Sequence, residues 1–344
     1  MGYRARIAAL LSLTTASLYS VLLFQPPAQA DPLPAPYDGK AHGDIVSVDA
    51  DVAAFDLAKV VLGHADADAD SSAASDNTNA TSRNLDVMVA GLPLAIEGAE
   101  SHAPVSESDT FSTIPLAIPG LLSLGVLNGA TAANYVSGTA CAPGTPERVL
   151  SRSSTNLISA TVAEVPLGLG SLAVAQVGAS STTATTKLVD DGTGASSMVS
   201  ETTSEIGDIR LLGNLVTVHV ADPVVLSTKS DGATGVATYS DPTVTVTVAG
   251  QPAVTLNDID GGTFTTNGLN VLGLATADVT ISLVDFVGDT TPDATGAASL
   301  DAVVTANVNL SLLTAVELAD VTLRVSPMSA TATAPAGGVE CGAL

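Results

Sequence analysis

The stretch Thr243-Val-Thr-Val-Thr-Val248 places valine at every second position and threonine between them. A β-strand sends successive side chains to opposite faces, so this pattern gives one apolar face and one hydroxyl face. A helix would scatter both around its circumference. Leu215-Val-Thr-Val-His-Val220 and Val321-Thr-Leu-Arg-Val325 repeat the pattern. The alternation predicts that Val216, Val218, Val220, Val244, Val246, Val248, Val321, Leu323 and Val325 point inward. Turn clusters such as Asp190-Asp-Gly-Thr-Gly194, Ser230-Asp-Gly232 and Asn257-Asp-Ile-Asp-Gly-Gly262 separate the runs. No segment carries a capped apolar stripe of helical period, although the sequence leaves room for short helical turns near Pro115 to Leu127. The fold class predicted is all-β: a multi-stranded sandwich-like or stacked-sheet domain with a core of small residues. Weakly similar Leu/Gly-rich segments at Leu121, Pro166, Leu211 and Asn270 suggest two similar halves.

Composition narrows the function classes. The chain of 344 residues has 35 acidic and 11 basic residues, for a net charge of −24. That leaves too few cations to neutralise a nucleic-acid backbone. Apolar residues make up 46%, too many for a disordered acidic tail. Aromatics make up only 3%, so Val, Leu, Ala and Ile must fill the core, and an acidic surface rich in Thr and Ser is expected outside.

Residues 1–30 read as an export signal. Arg4 and Arg6 precede an uncharged apolar stretch, Ile7 to Phe24, and Ala28-Gln29-Ala30 supplies a small-x-small cleavage site. Residues 31–44, rich in Pro, Gly and Ala, are expected to form a linker or edge segment. Residues 45–344 are expected to form a single β-rich extracellular domain with no further membrane-spanning segment. Cys141 and Cys341 are the two cysteines. In an oxidising compartment they are expected to form a disulfide, closing a loop of about 200 residues and pinning the C-terminus.

Candidate chemistry is sparse. Asn257, Asp258 and Asp260, ahead of Gly261-Gly262, are the candidate metal ligands, with Ca²⁺ the ion that such oxygen donors favour, although the spacing is not an EF-hand. Side chains of this kind in a glycine turn also bond to backbone. His64-Ala-Asp66-Ala-Asp68-Ala-Asp70 would place its carboxylates on one strand face about 6.5–7 Å apart, too far apart to enclose one Ca²⁺, and reads as a solvated acidic face. His42, His64, His102 and His219 are too scattered in sequence for a zinc motif. No nucleophile elbow or phosphate loop is present, so no catalytic residues and no cofactor-binding residues are assigned.

Ser204-Glu-Ile-Gly-Asp-Ile-Arg-Leu-Leu-Gly-Asn-Leu-Val-Thr-Val-His-Val-Ala221 resembles the recurring Leu-Leu-Gly-Gly-Leu strand unit of the actinobacterial choice-of-anchor exported proteins, nearest to choice-of-anchor P. Ser329-Ala-Thr-Ala-Thr-Ala-Pro-Ala-Gly-Gly-Val-Glu-Cys341 resembles the end of that module, while Asn214 departs from its second glycine. The resemblance implies an extracellular or cell-wall location and carries no catalytic residues. The function expected is therefore that of a non-enzymatic, secreted or cell-surface β protein with a structural or adhesive role, its partners being cell-wall or surface components rather than nucleic acid. The alternative is a Ca²⁺-dependent cation- or ligand-binding module, and a hydrolase ranks third.

Overall fold

The computed structural model describes residues 36–341, apart from 53–54, 90–91, 96–97, 114, 136–145, 168–169, 191, 193–194, 290–294 and 314–315. The expected export signal lies outside the described residues. Residues 34–344 form one compact unit. Among the described residues no helix is long and apolar enough to cross a membrane.

The structure is all-β, with three multi-stranded antiparallel sheets. The nine inward positions predicted from alternation are all buried, none more than 5% exposed. The segment near Pro115 to Leu127, which has room for helical turns, forms the short strands Leu116–Ile118 and Leu122–Leu124. Leu122 and Leu124 are buried with Ser123 outward, so the period of two prevails there as well. The only helical pieces described are 3-10 turns at Leu256–Asp258 and Asp260–Gly262.

Four strands open the chain: β1 (Asp38–Gly43), β2 (Val46–Val52), β3 (Phe55–Asp70) and β4 (Thr78–Val89). They lie in a thirteen-stranded sheet completed mainly by the C-terminal strands. β1 and β2 form one line broken only at Asp44-Ile45. β3 pairs along both, in one register from Asp38↔Asp70 through Val46↔Leu62. On the other side the same line pairs with Glu317–Val325 and Met328–Thr333. Residues 31–44 are thus corrected from linker or edge to include an interior strand. The small side chains that suggest a linker are what this position needs, because Gly39, Ala41 and Gly43 face a second sheet at close range.

The chain between Glu107 and Thr255 builds the opposing sheets. Successive runs are split between them, as in Glu147–Leu157 and Ala160–Pro166, or Ser171–Val177 and Ser180–Asp190. After Glu107–Ser112 the strands go in consecutive pairs, two to an eight-stranded sheet and the next two to a seven-stranded one. The N- and C-terminal segments interleave in the large sheet, so the layers are not two consecutive similar halves.

Two chemically different interfaces result. The eight-stranded sheet meets β2 and its C-terminal neighbours through Val, Leu and Ile, including Val46, Val48, Val162, Leu211, Val304 and Leu323. Each such side chain contributes about 1.5–3 kcal/mol on burial. The seven-stranded sheet meets β1, the second half of β3, and β4 through Ala, Ser and Thr. This corrects the expectation that Ser and Thr lie outside: Ser153, Thr155, Thr182, Thr186, Ser200, Thr202 and Ser204 are all fully buried. Several small hydroxyl side chains there donate across the interface to backbone oxygens, while Thr182 and Ser200 are buried without a partner. Ser153 bonds the Thr81 carbonyl at 2.7 Å, Ser82 that of Ser154 at 3.0 Å, Thr155 that of His64 at 3.2 Å, and Thr202 that of His42 at 3.0 Å. These bonds offset the desolvation of both groups.

Between the two interfaces the buried positions change parity in every line: Gly43 to Val46, Leu62 to Ala65, Val325 to Met328. Gly63 (φ +68) and Ser326 (φ +54) take left-handed backbone at this level, a conformation that turns the pleat over as bulges do. Glycine adopts it without a Cβ penalty.

The hydroxyl interface gives a paired prediction. Thr182 Oγ1 is buried without a hydrogen-bond partner, whereas Thr202 Oγ1 is bonded. Thr182→Val should stabilise the fold by about 1 kcal/mol, and Thr202→Val should destabilise it by about 1–2 kcal/mol. Urea unfolding of both variants checks the contrast, and equal losses would contradict it.

Candidate metal centre

His42 and Gly43 end β1 with Asp44 directly after it, and His64-Ala65-Asp66 lies in β3. Each places its His and Asp two residues apart, hence on one strand face. The alternating residues, Gly43 and Ala65, face the hydroxyl interface, so the four polar side chains emerge on the outer face of the large sheet. The strands are antiparallel, with His42 opposite Asp66. The same register sets Asp44 opposite His64. Two His-x-Asp segments therefore meet head to tail.

The contacts close a ring. His42 Nδ1 lies 2.8 Å from Asp66 Oδ1, and His64 Nδ1 lies 2.8 Å from Asp44 Oδ1. His64 Nε2 also bonds Asp66 Oδ2. His42 Nε2 lies 3.5 Å from Asp44 Oδ2. The imidazole centroids are 4.7 Å apart, with planes tilted by 53°. The Asp44 side chain is 11% exposed and that of His64 19%, while His42 and Asp66 are about one-third exposed. The Thr202 and Thr155 hydroxyls grip the backbone oxygens of the two histidines from behind, fixing where each ring starts.

Burial alone would pull both imidazoles toward neutrality. Hydrogen bonds and charge attraction from Asp44 and Asp66 outweigh it, raising His42 to about 10 and His64 to about 9. Burial pushes Asp44 and Asp66 upward, but the two histidines hold both below the ordinary carboxylate value. The metal-free ring thus alternates two imidazolium and two carboxylate groups, neutral in sum. Its neighbours are Lys40, opposite Asp68, and Arg83, opposite His64. Asp68 and Asp38 are raised by burial despite Lys40. The expected solvated acidic face of His64–Asp70 is corrected accordingly: it is a half-buried face, and Asp66 belongs to the ring.

The sequence reading separated the histidines. The structure joins His42 and His64, the signal being the repeated His-x-Asp 22 residues apart. His102 remains apart, bonded to Asn79 at 2.7 Å, and His219 lies outward beside Asp208 at 2.9 Å. Of the candidate Ca²⁺ ligands, Asn257 and Asp258 lie in the 3-10 turn Leu256–Asp258, and Asp260 opens the next. The Asn257 side chain accepts the Val244 N–H at 2.9 Å and donates to the Pro242 carbonyl at 3.1 Å, so it clamps a strand end. Asp258 is exposed, and the side chain of Asp260 lies outside the described residues. Among the described residues, His42, His64 and Asp66 form the one group of three or more ligand-type side chains converging tightly enough for a metal ion.

Cys341 is disulfide-bonded and packs beside the buried cluster containing Tyr37 and Tyr135. Cys141 lies outside the described residues. Non-reducing peptide mapping should find one species joining the Cys141 and Cys341 peptides. Recovery of either peptide as a free thiol would contradict that pairing.

No family model matches the chain, and no curated protein matches it. Solved structures that it matches include Pseudomonas aeruginosa OccK2 (OpdF), 6% identical over 86% of this chain and 96% of that one, with a TM-score of 0.16. Pseudomonas aeruginosa OccK9 (OpdG) is 10% identical over 86% and 98%, with a TM-score of 0.15. Similarity at this level carries no argument about fold or function.

Proposed function

We propose that this chain is a non-enzymatic exported protein with a structural or adhesive role at the cell surface, of the choice-of-anchor kind. The observation that carries the reading is the lacing of two sheet layers by hydroxyl-to-carbonyl bonds between residues as far as 160 positions apart in sequence, Thr202 to His42. Such bonds tie the middle of the chain to its N-terminal strands. They stiffen the packing of the two layers without large side chains. The strongly acidic composition favours solubility and attraction to cationic surface components.

Cell fractionation followed by N-terminal sequencing tests this role. The reading expects a chain starting at Asp31 in the wall or the medium, accessible to protease on intact cells. A full-length chain confined to the cytosol would overturn it.

A further inference from the structure

We propose that His42, Asp44, His64 and Asp66 form a binding site for one divalent transition-metal ion of the Zn²⁺ type on the outer face of the large sheet. The inference is independent of the surface role proposed above.

The donor set is the first argument. Two imidazole nitrogens with carboxylate oxygens suit Zn²⁺ and its first-row neighbours. Ca²⁺ takes six to eight oxygens and would use only half of this set. Geometry is the second argument. One donor atom from each of His42, His64 and Asp66 lies within 4.8 Å of the others. Zn²⁺ sits about 2.0–2.2 Å from such donors, so in its tetrahedral geometry they stand about 3.4 Å from one another. The widest donor pair has to close by no more than about 1.4 Å. Asp44, 2.8 Å from His64 Nδ1, supplies either a fourth ligand or the carboxylate that orients a ligating imidazole.

Rigidity is the third argument. His42, His64 and Asp66 come from interior strands rather than a loop. Cross-strand register fixes His42 against Asp66, and the Thr155 and Thr202 hydroxyls hold the backbone behind each histidine. Partial exposure leaves the ion a route from solvent.

The experiment is calorimetric titration of the chelator-treated full chain with Zn²⁺ at pH 7.5, alongside His42→Gln, His64→Gln and the exposed control His219→Gln. One saturable site is expected, with affinity unchanged in the control and weakened at least tenfold in each ring variant. Thermal unfolding of each variant confirms that it folds. If His64→Gln fails to fold, His42→Gln and Cd²⁺ NMR of the natural chain, expected to show one resonance in the nitrogen/oxygen-ligand range, carry the test. Absence of saturable Zn²⁺ binding below about 100 µM by the folded natural chain would overturn the proposal. So would equal binding by folded His42→Gln. A site that prefers Ca²⁺ over Zn²⁺ would overturn it too. None of these outcomes bears on where the chain resides in the cell.

Discussion

Replacing His64 with alanine should lower the stability of the metal-free fold by about 2–4 kcal/mol at pH 6. Removing one member of a mostly buried ion cluster leaves its partners desolvated and uncompensated, at a typical cost of about 3–5 kcal/mol. The exposed flanks of His42 and Asp66 reduce that figure. Asp44 suffers most, because it is nearly buried and loses its 2.8 Å partner. Asp44→Asn combined with His64→Ala should recover part of the loss, since the stranded charge is then gone. Denaturant unfolding of the single and double variants checks this. Additive losses would show that the two side chains do not interact.

The same ring gives stability a pH dependence. A histidine raised above its ordinary value stabilises fully below about 6.5, and the gain is lost as pH rises toward 9–10. A lowered aspartate stabilises fully above about 4, and the gain is lost as pH falls below that. The ring therefore contributes most between about pH 4 and 6.5. Asp38 and Asp68, raised by burial, act in the opposite sense as they ionise. The natural chain should lose stability steadily from pH 7 to 10, and a His42→Ala/His64→Ala variant should show a flatter alkaline limb.

Gly43→Ala should be comparably damaging, at about 2–3 kcal/mol, although it adds a single methyl group. A Cβ at Gly43 would lie 2.5 Å from Thr202 Cγ2 and 2.7 Å from Thr182 Oγ1. Both obstacles are β-branched side chains packed in the hydroxyl interface, with few rotamers to escape into. The sheets must part, which would lengthen the Thr202–His42 bond and shift both His42 and Asp44. Gly170→Ala, with nothing within 4 Å of its Cβ, should change stability by no more than about 0.5 kcal/mol. Adding Thr202→Ser to Gly43→Ala removes one obstacle and should recover about 1 kcal/mol. Thermal melts of the natural chain and the three variants decide it. A Gly43→Ala melt matching that of Gly170→Ala would mean that the layers are not so close.

The apolar interface is legible in sequence because burial there follows from side-chain type. Val244, Val246 and Val248 alternate with threonine, and no other face could be the inner one. The hydroxyl interface is not legible in this way. In Ser180–Asp190 the buried residues are Ser180, Thr182, Ala184, Thr186 and Leu188, and their outward neighbours are mostly Ser and Thr as well. Nothing in that stretch tells one face from the other. Elsewhere in this interface the buried face is marked by backbone oxygens 72 to 160 residues away, but in this stretch Thr182 has no partner and Thr186 bonds the Ser151 hydroxyl. The ring was half legible. Two His-x-Asp segments on an alternating background already put each pair on one face. Their meeting depends on the register of β1 against β3, which the break at Asp44-Ile45 and the left-handed Gly63 disguise as a change of parity.

NMR titration of the imidazole resonances in the metal-stripped chain tests most directly whether the two His-x-Asp segments face each other. His42 and His64 are expected to stay protonated at pH 8 and to titrate near 10 and 9, each shifting when the other is replaced. If both titrate independently near 6.5, the value of a free imidazole, the four side chains do not meet and the ring does not exist.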